Sequence, residues 1–185
     1  MIPQIRKESE ERMQKALEVL RHELATIRTG KATTALLDGV KVDYYGKLSP
    51  LSQIANVSVL DVHTLAIQPW DKSMVEPIQK AIQMTNLGLN PIKDGERIRV
   101  PIPALNEERR RELVKLTKKF GEDSKVAIRN IRRDSIEHLK KAEKAEHLSE
   151  DERKRGEGEI QKMTDKYTKD IDGLLGVKEK EIMEV

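Results

Sequence analysis

Met13, Leu17, Leu20, Leu24 and Ile27 recur at spacings of 4, 3, 4 and 3, the rhythm that lays one apolar seam along a helix. This seam predicts a first helix ending near Thr29-Gly30, with Gly30 as its C-cap. A second helix is predicted from Asn106, whose side chain can cap free N–H groups while Glu107 and Glu108 suit the positive end of the helix dipole. Its expected core stripe is Leu113, Leu116, Phe120, Ala127, Ile131 and Ala142. Ser149 followed by Glu152 is a capping box that opens a third helix, with Ile160, Met163, Tyr167, Ile171, Leu174 and Ile182 on one face. Gly156, Gly158, Gly173 and Gly176 weaken that helix by roughly 1 kcal/mol each where they lie in its interior, so packing has to compensate.

The pattern changes between the first two helices. VKVDYY, IANVSVL, HTLAIQP and RIRVPIP alternate or are rich in β-branched residues, with turn signals at Tyr45-Gly46-Lys47 and Asp94-Gly95. Ser73 to Asn86 reads as a helix with Met74, Ile78 and Ile82 on one face. Prolines 50, 69, 77, 91, 101 and 103 fall in this stretch, which excludes one continuous helix. None of the three flanking seams can be buried alone. The expected fold is therefore α+β: an elongated antiparallel three-helix bundle of residues 1–30 and 105–185, interrupted by a smaller, β-rich α/β domain at 31–104. The chain crosses between the two near 30–31 and 101–104. Gly30, which tolerates positive φ, and Pro101 and Pro103, which enforce extended backbone, are the candidate hinge residues.

Charge sharpens this division. Residues 31–104 carry 15 charged side chains in 74 positions, whereas the other 111 positions carry 52. The chain has no cysteine, hence no disulfide and no thiolate metal site. It has no apolar run near the ~20 residues a membrane span requires, and no leader-like start, so a cytoplasmic protein is expected. His22, His63, His138 and His147 are isolated, and the Gly156-x-Gly158 pair lacks a preceding strand. Neither a metal site nor a phosphate loop is indicated, and no catalytic constellation is visible. An enzyme is not expected, and no cofactor.

The strongest chemical signal lies in the second helix. Residues 109–133 hold ten Lys/Arg against three Asp/Glu, while 146–185 hold 8 basic and 12 acidic residues. At about 100° per residue, Arg111, Lys115, Lys118, Lys125, Arg129, Arg132 and Arg133 gather into a cationic ridge opposite the expected core stripe. The planar forks of Arg129, Arg132 and Arg133 suit phosphate contacts and stacking on RNA bases. The same charges would serve equally to solvate a long helix or to pair with the acidic third helix. Tyr44, Tyr45 and Trp70 are too few for an RNA-binding sheet and read as packing residues. Three classes stay open on these features: an RNA-binding factor, a structural helical adaptor for a protein partner, and an enzyme.

Several segments carry a resemblance over essentially the whole chain. They are IRTGKATTALLDGVKVDYYG at 27–46, PWDKS at 69–73, LGLNP at 87–91, IRVPIPALNEERR at 98–110 and VAIRNIRRD at 126–134. Through them the sequence closely resembles the bacterial ribosome recycling factor family. The resemblance implies an L-shaped molecule, similar in outline to a transfer RNA, that acts with elongation factor G and GTP to split post-termination ribosomes. It implies a monomer that binds the large ribosomal subunit through ribosomal RNA, with no membrane or DNA partner. By matching motif, Arg129, Arg132 and Arg133 look like contacts to that RNA, with Arg28, Lys31 and Arg110 as similar candidates near the hinge end. The sequence departs from many relatives at Lys31, Thr33-Thr34 and Asn106, where Arg, Ser-Pro and Thr are usual. Lys31 keeps the charge without the bidentate fork, and Asn106 remains a competent cap.

Overall fold

The computed structural model describes residues 1–145 and 147–184. Glu146 and Val185, counted above in the bundle segment, lie outside the described residues. The chain forms two compact units, Met1–Arg28 with Glu107–Val185, and Thr29–Asn106. The divisions fall two residues outside the 30/31 and 104/105 junctions expected from the sequence.

The first unit consists of helices α1 (Ile2–Ala25), α3 (Glu107–Lys144) and α4 (Glu150–Met183). At 1.5 Å per residue α3 is about 57 Å long. Arg12 pairs with Asp134 at 2.9 Å and Arg6 with Glu159 at 3.6 Å, while Lys125 meets Asp172 at 2.6 Å and Arg132 meets Gln161 at 3.2 Å. Residue numbers that rise on α3 as they fall on α4 show that these two helices are antiparallel, and Ser9–Ser135 beside Arg12–Asp134 gives the same sense for α1 and α3. The predicted capping box is formed: Ser149 Oγ accepts from Glu152 N at 3.2 Å, and Ser149 N donates to Glu152 Oε2 at 2.8 Å. Arg153, lying between Glu143 at the end of α3 and Glu157 on α4, ties down the intervening turn.

Two expectations for the bundle need correction. The first helix stops at Ala25, short of Gly30. Thr26 turns its hydroxyl back to Glu23 O at 2.6 Å, and Thr26 N and Ile27 N bond only three residues back, so the last turn tightens and the helix closes early. The core stripe of α3 is Leu113, Thr117, Gly121, Ser124, Ile128, Ile131, Ser135, Leu139 and Ala142. Phe120 and Ala127 are only half-buried, and Leu116 is 37% exposed. Small polar residues occupy the seam because they let helices approach closely, and two of the three hydroxyls bond back to their own helix, whereas the buried Ser124 Oγ has no partner among the described residues. Thr117 Oγ1 donates to Leu113 O at 2.8 Å, and Ser135 Oγ donates to Ile131 O at 2.8 Å and meets the buried Ser9 Oγ of α1 at 2.5 Å.

The second unit has a hairpin of β1 (Lys41–Tyr44) and β2 (Lys47–Pro50), and an antiparallel sheet in the order β3-β4-β6-β5. Its strands are β3 (Ala55–Asp61), β4 (Thr64–Pro69), β5 (Ile92–Asp94) and β6 (Arg97–Pro101), with helix α2 (Val75–Gln83) connecting β4 to β5. β2 and β5 are the additions to the four strand segments predicted from sequence; β2 follows and β5 precedes an anticipated turn. Met74, Ile78 and Ile82 pack with Leu65, Ile67, Ile98 and Val100 into a core of this unit's own. No helix of the described residues is long and apolar enough to cross a membrane.

Candidate functional site

The cationic ridge is built by the register of α3. The corrected core stripe rotates the helix relative to the expected one, so that Lys125 and Arg132 now flank the core while Arg129 and Arg133 stay on the far side. At about 100° per residue, Arg132 lies about 60° from the centre of the stripe, Arg129 about 120° and Arg133 about 160°. Burial follows that order: Arg132 is half-buried, while Arg129 and Arg133 are exposed.

Each arginine is held differently. The Arg132 guanidinium donates to Gln161 Oε1 on α4 at 3.2 Å, and Gln161 in turn donates to Asp165 at 2.8 Å. Arg129 reaches two turns back along its own helix to Glu122 at 2.7 Å. Arg133 makes no hydrogen bond or ion pair with the described residues. Lys125 is the ridge member that pairs with the acidic helix, at 2.6 Å from Asp172. The alternative of mutual neutralisation between the two helices therefore holds at Lys125 but not across the arginine cluster. An exposed pair such as Arg129–Glu122 is worth about 0–1 kcal/mol and is readily exchanged for a phosphate.

The other candidates do not join this cluster. Arg110 stands in the first turn of α3, roughly 30 Å along the helix from Arg129 by the helical rise. It lies on the core side, half-buried, with its Nε enclosed and without a partner among the described residues. Arg28 ends the first unit and is exposed; Lys31 begins the inserted unit and is half-buried. Gly30 is buried with φ +76°, and a Cβ there would lie 3.4 Å from Leu105 and 3.7 Å from Pro103 O, so the two chain crossings touch.

A groove of about 370 Å³ on the inserted unit is lined by Lys72, Glu76, Lys93 and Glu96 among others. Its charges cancel in place, Lys72 with Glu96 at 2.5 Å and Lys93 with Glu76 at 3.7 Å. Nearby, the Tyr45 hydroxyl donates to Asp71 at 2.7 Å, and Ser73 donates to the same carboxylate from Oγ at 2.7 Å and from N at 3.0 Å. The Ser73 hydroxyl first, then Tyr45, hold the Asp71 carboxyl below its ordinary range; accepting that proton holds Tyr45 above its own. The sequence alone does not reveal this network because Tyr45 lies 26 residues from Asp71. Among the described residues, no group of three or more His, Cys, Asp or Glu could hold a metal ion.

Comparison with known proteins agrees with the bundle-and-insertion architecture. The family model for ribosome recycling factor matches residues 20–183. The chain belongs to the ribosome recycling factor family. It is 55% identical to the ribosome-recycling factor of Chlorobium phaeovibrioides over 184 residues, covering 100% of this chain and 99% of that protein. It is 53% identical to that of Ralstonia pickettii, with the same coverage. A solution structure of the ribosome recycling factor superposes with a TM-score of 0.77 at 46% identity, covering 100% of this chain and 98% of the other. A second similar chain comes from structural models for the T. thermophilus ribosome recycling factor and the E. coli elongation factor G bound to the E. coli post-termination complex. It matches with a TM-score of 0.65 and 48% identity over the whole of both chains.

Proposed function

We propose that this chain is a ribosome recycling factor which, with elongation factor G and GTP, dissociates post-termination ribosomes so that their subunits can be used again. The observation that carries the reading is agreement along the whole chain, at 55% identity, with a protein of that name. The proposed action is non-covalent and takes place in the cytoplasm, where translating ribosomes are.

In this reading residues 1–30 and 105–185 form the RNA-binding bundle, and 31–104 form the domain that transmits movement. Arg129, Arg132 and Arg133 bind the phosphates of large-subunit ribosomal RNA, with Arg28, Lys31 and Arg110 adding contacts near the hinge. What supports this is the geometry of the cluster: three guanidinium groups within about one and a half turns, one without a partner among the described residues and one held by an exposed, exchangeable carboxylate. Gly30, Pro101 and Pro103 mark the crossings at which the two units reorient.

The test is a splitting assay on purified post-termination ribosomes with elongation factor G and GTP, paired with sedimentation on large subunits at low and high salt. Splitting that requires all three components, and binding that weakens as salt rises, is the expected result. No splitting, or binding indifferent to salt, would refute the proposal.

A further inference from the structure

Glu122 is an acid set into the row of bases on α3. At about 100° per residue, Lys115, Lys118, Arg129 and Arg133 all lie within about 40° of it around the helix. From Arg111 to Arg133 the other acids, Glu112 and Asp123, lie about 80° and 100° further round, toward α1. A carboxylate at this place works against any anion that the row attracts.

The same carboxylate holds Arg129. Glu122 Oε1 accepts from Arg129 Nη2 at 2.7 Å, across a separation of seven residues and about 10.5 Å of helical rise. Arg109–Glu112, Arg111–Glu107 and Lys141–Glu137, on the same helix, span only three or four residues. A span of two turns makes both side chains lie along the helix toward one another rather than stand off its surface. Arg129 is thereby laid flat, with its Nη2 edge occupied. The two side chains are 49% and 60% exposed, so water reaches the pair and another anion can replace the carboxylate without burying a charge. Its neighbours differ: Arg132 is turned to the neutral Gln161, and Arg133 has no partner among the described residues.

We propose that Glu122 is an internal competitor for the arginine cluster: in the free protein its carboxylate occupies the Nη2 edge of Arg129 that an RNA phosphate takes on the large subunit, so that this contact forms by exchange of one anion for another. This rests on the RNA-binding role proposed above for Arg129. Breaking the internal pair offsets part of what the phosphate contact contributes, and affinity falls below what the same bases would give without it. As the phosphate leaves, the carboxylate returns to the guanidinium. A factor that acts on one ribosome after another has to come off each, and a competitor built beside the contact favours release.

A double-mutant cycle on the full chain reads the exchange. Glu122→Gln keeps the shape and a hydrogen-bond acceptor but removes the charge. Its affinity for purified large subunits at low salt should exceed the parent's by about two- to fivefold, the worth of an exposed ion pair. That gain should shrink as salt rises. In an Arg129→Ala background the same substitution should gain less, by about twofold or more, because only the repulsion between carboxylate and RNA is then relieved. Circular dichroism and melting should stay close to the parent in every variant, since both residues are exposed. Affinity that falls or stays parental in Glu122→Gln overturns the proposal, a fall making the carboxylate a prop that presents Arg129. An equal gain with and without Arg129 overturns it too, and leaves Glu122 as a general repulsive charge. Arg129→Ala alone judges the RNA contact itself: if that variant binds with parental affinity, the ribosomal role of Arg129 falls and the exchange with it. If it binds weakly while Glu122→Gln gains nothing, the contact stands and only the competitor is overturned.

Discussion

Leu175 of α4 fills the space where a side chain would begin at Gly121 of α3: a Cβ on Gly121 would lie 2.7 Å from Leu175 Cδ2 and closer still to Cδ1. Gly121 is a point of close approach between the two long helices. Replacing it by Ala gains up to about 1 kcal/mol of helix propensity but forces Leu175 out of its seat, at about 1–3 kcal/mol. Gly121→Ala should therefore destabilise by about 1 kcal/mol, and Gly121→Val by more.

The contrast lies in α4. Nothing lies within 4 Å of a Cβ at Gly158, Gly173 or Gly176, and all three are exposed. Alanine at each should stabilise the protein by about 0.5–1 kcal/mol. Urea unfolding of the four single variants tests both signs at once. A stabilising Gly121→Ala would show that Leu175 repacks freely.

The bundle should fold without its insertion. Each unit buries its own core, and the contact of Gly30 with Leu105 brings the two crossings together, so a short Gly/Ser linker can join Arg28 to Glu107. The product should be strongly helical by circular dichroism and unfold in a single transition. It should bind large subunits without splitting ribosomes. A molten or aggregated product would show that the insertion completes the bundle core.

Asp71 gives the inserted domain an acid limit. Its folded carboxyl is depressed by the Ser73 and Tyr45 hydrogen bonds, so the stability it contributes is present above the ordinary carboxylate value and is lost as pH falls through the lower folded value. Tyr45 is raised, so its contribution is present below the ordinary phenol value and is lost as pH rises through the higher folded one. Asp71→Asn should flatten the acid limb of stability against pH, and Tyr45→Phe the alkaline limb. Unchanged limbs in both variants would mean that the network does not couple to folding.

The sequence revealed most of this architecture because period and charge change together at the boundaries of the insertion. Met13, Leu17, Leu20 and Leu24 were legible as core since an aliphatic seam has few other uses. Thr117, Gly121, Ser124 and Ser135 were not, because residues that read as polar or helix-weakening in isolation become seam residues only when a partner helix lies close. Leu116 and Phe120 drew the expected stripe onto the wrong flank for the same reason. The arginine cluster could be read from composition, but the separate surroundings of Arg129, Arg132 and Arg133 depended on that rotation. His63 was set aside as isolated; its ring Nδ1 meets Gly30 O and its own carbonyl accepts from Ile102 N, and contacts made through backbone groups remote in sequence leave no side-chain pattern.

Arg132 provides the sharpest test of the ridge. Its guanidinium is half-buried beside Gln161, so Arg132→Ala loses one exposed hydrogen bond and some packing of the aliphatic stem, and should lower stability by no more than about 1 kcal/mol. If the same group contacts a ribosomal phosphate, its loss removes a charge-assisted bond worth about 1.5–3 kcal/mol, or roughly ten- to a hundredfold in affinity for large subunits. Arg132→Lys should recover only part of this, because the charge returns without the planar fork. The slope of log affinity against log salt should become shallower by about 0.7–0.9 for the lost phosphate contact. Gln161→Ala separates the two roles: it frees the guanidinium from α4 while leaving its charge, so binding should hold even where the melt shifts. Sedimentation at several salt concentrations, with circular dichroism and melting measured on the same samples, gives all of these quantities. A well-folded Arg132→Ala with parental affinity and salt slope would return this residue to the role of a solvated flank between α3 and α4.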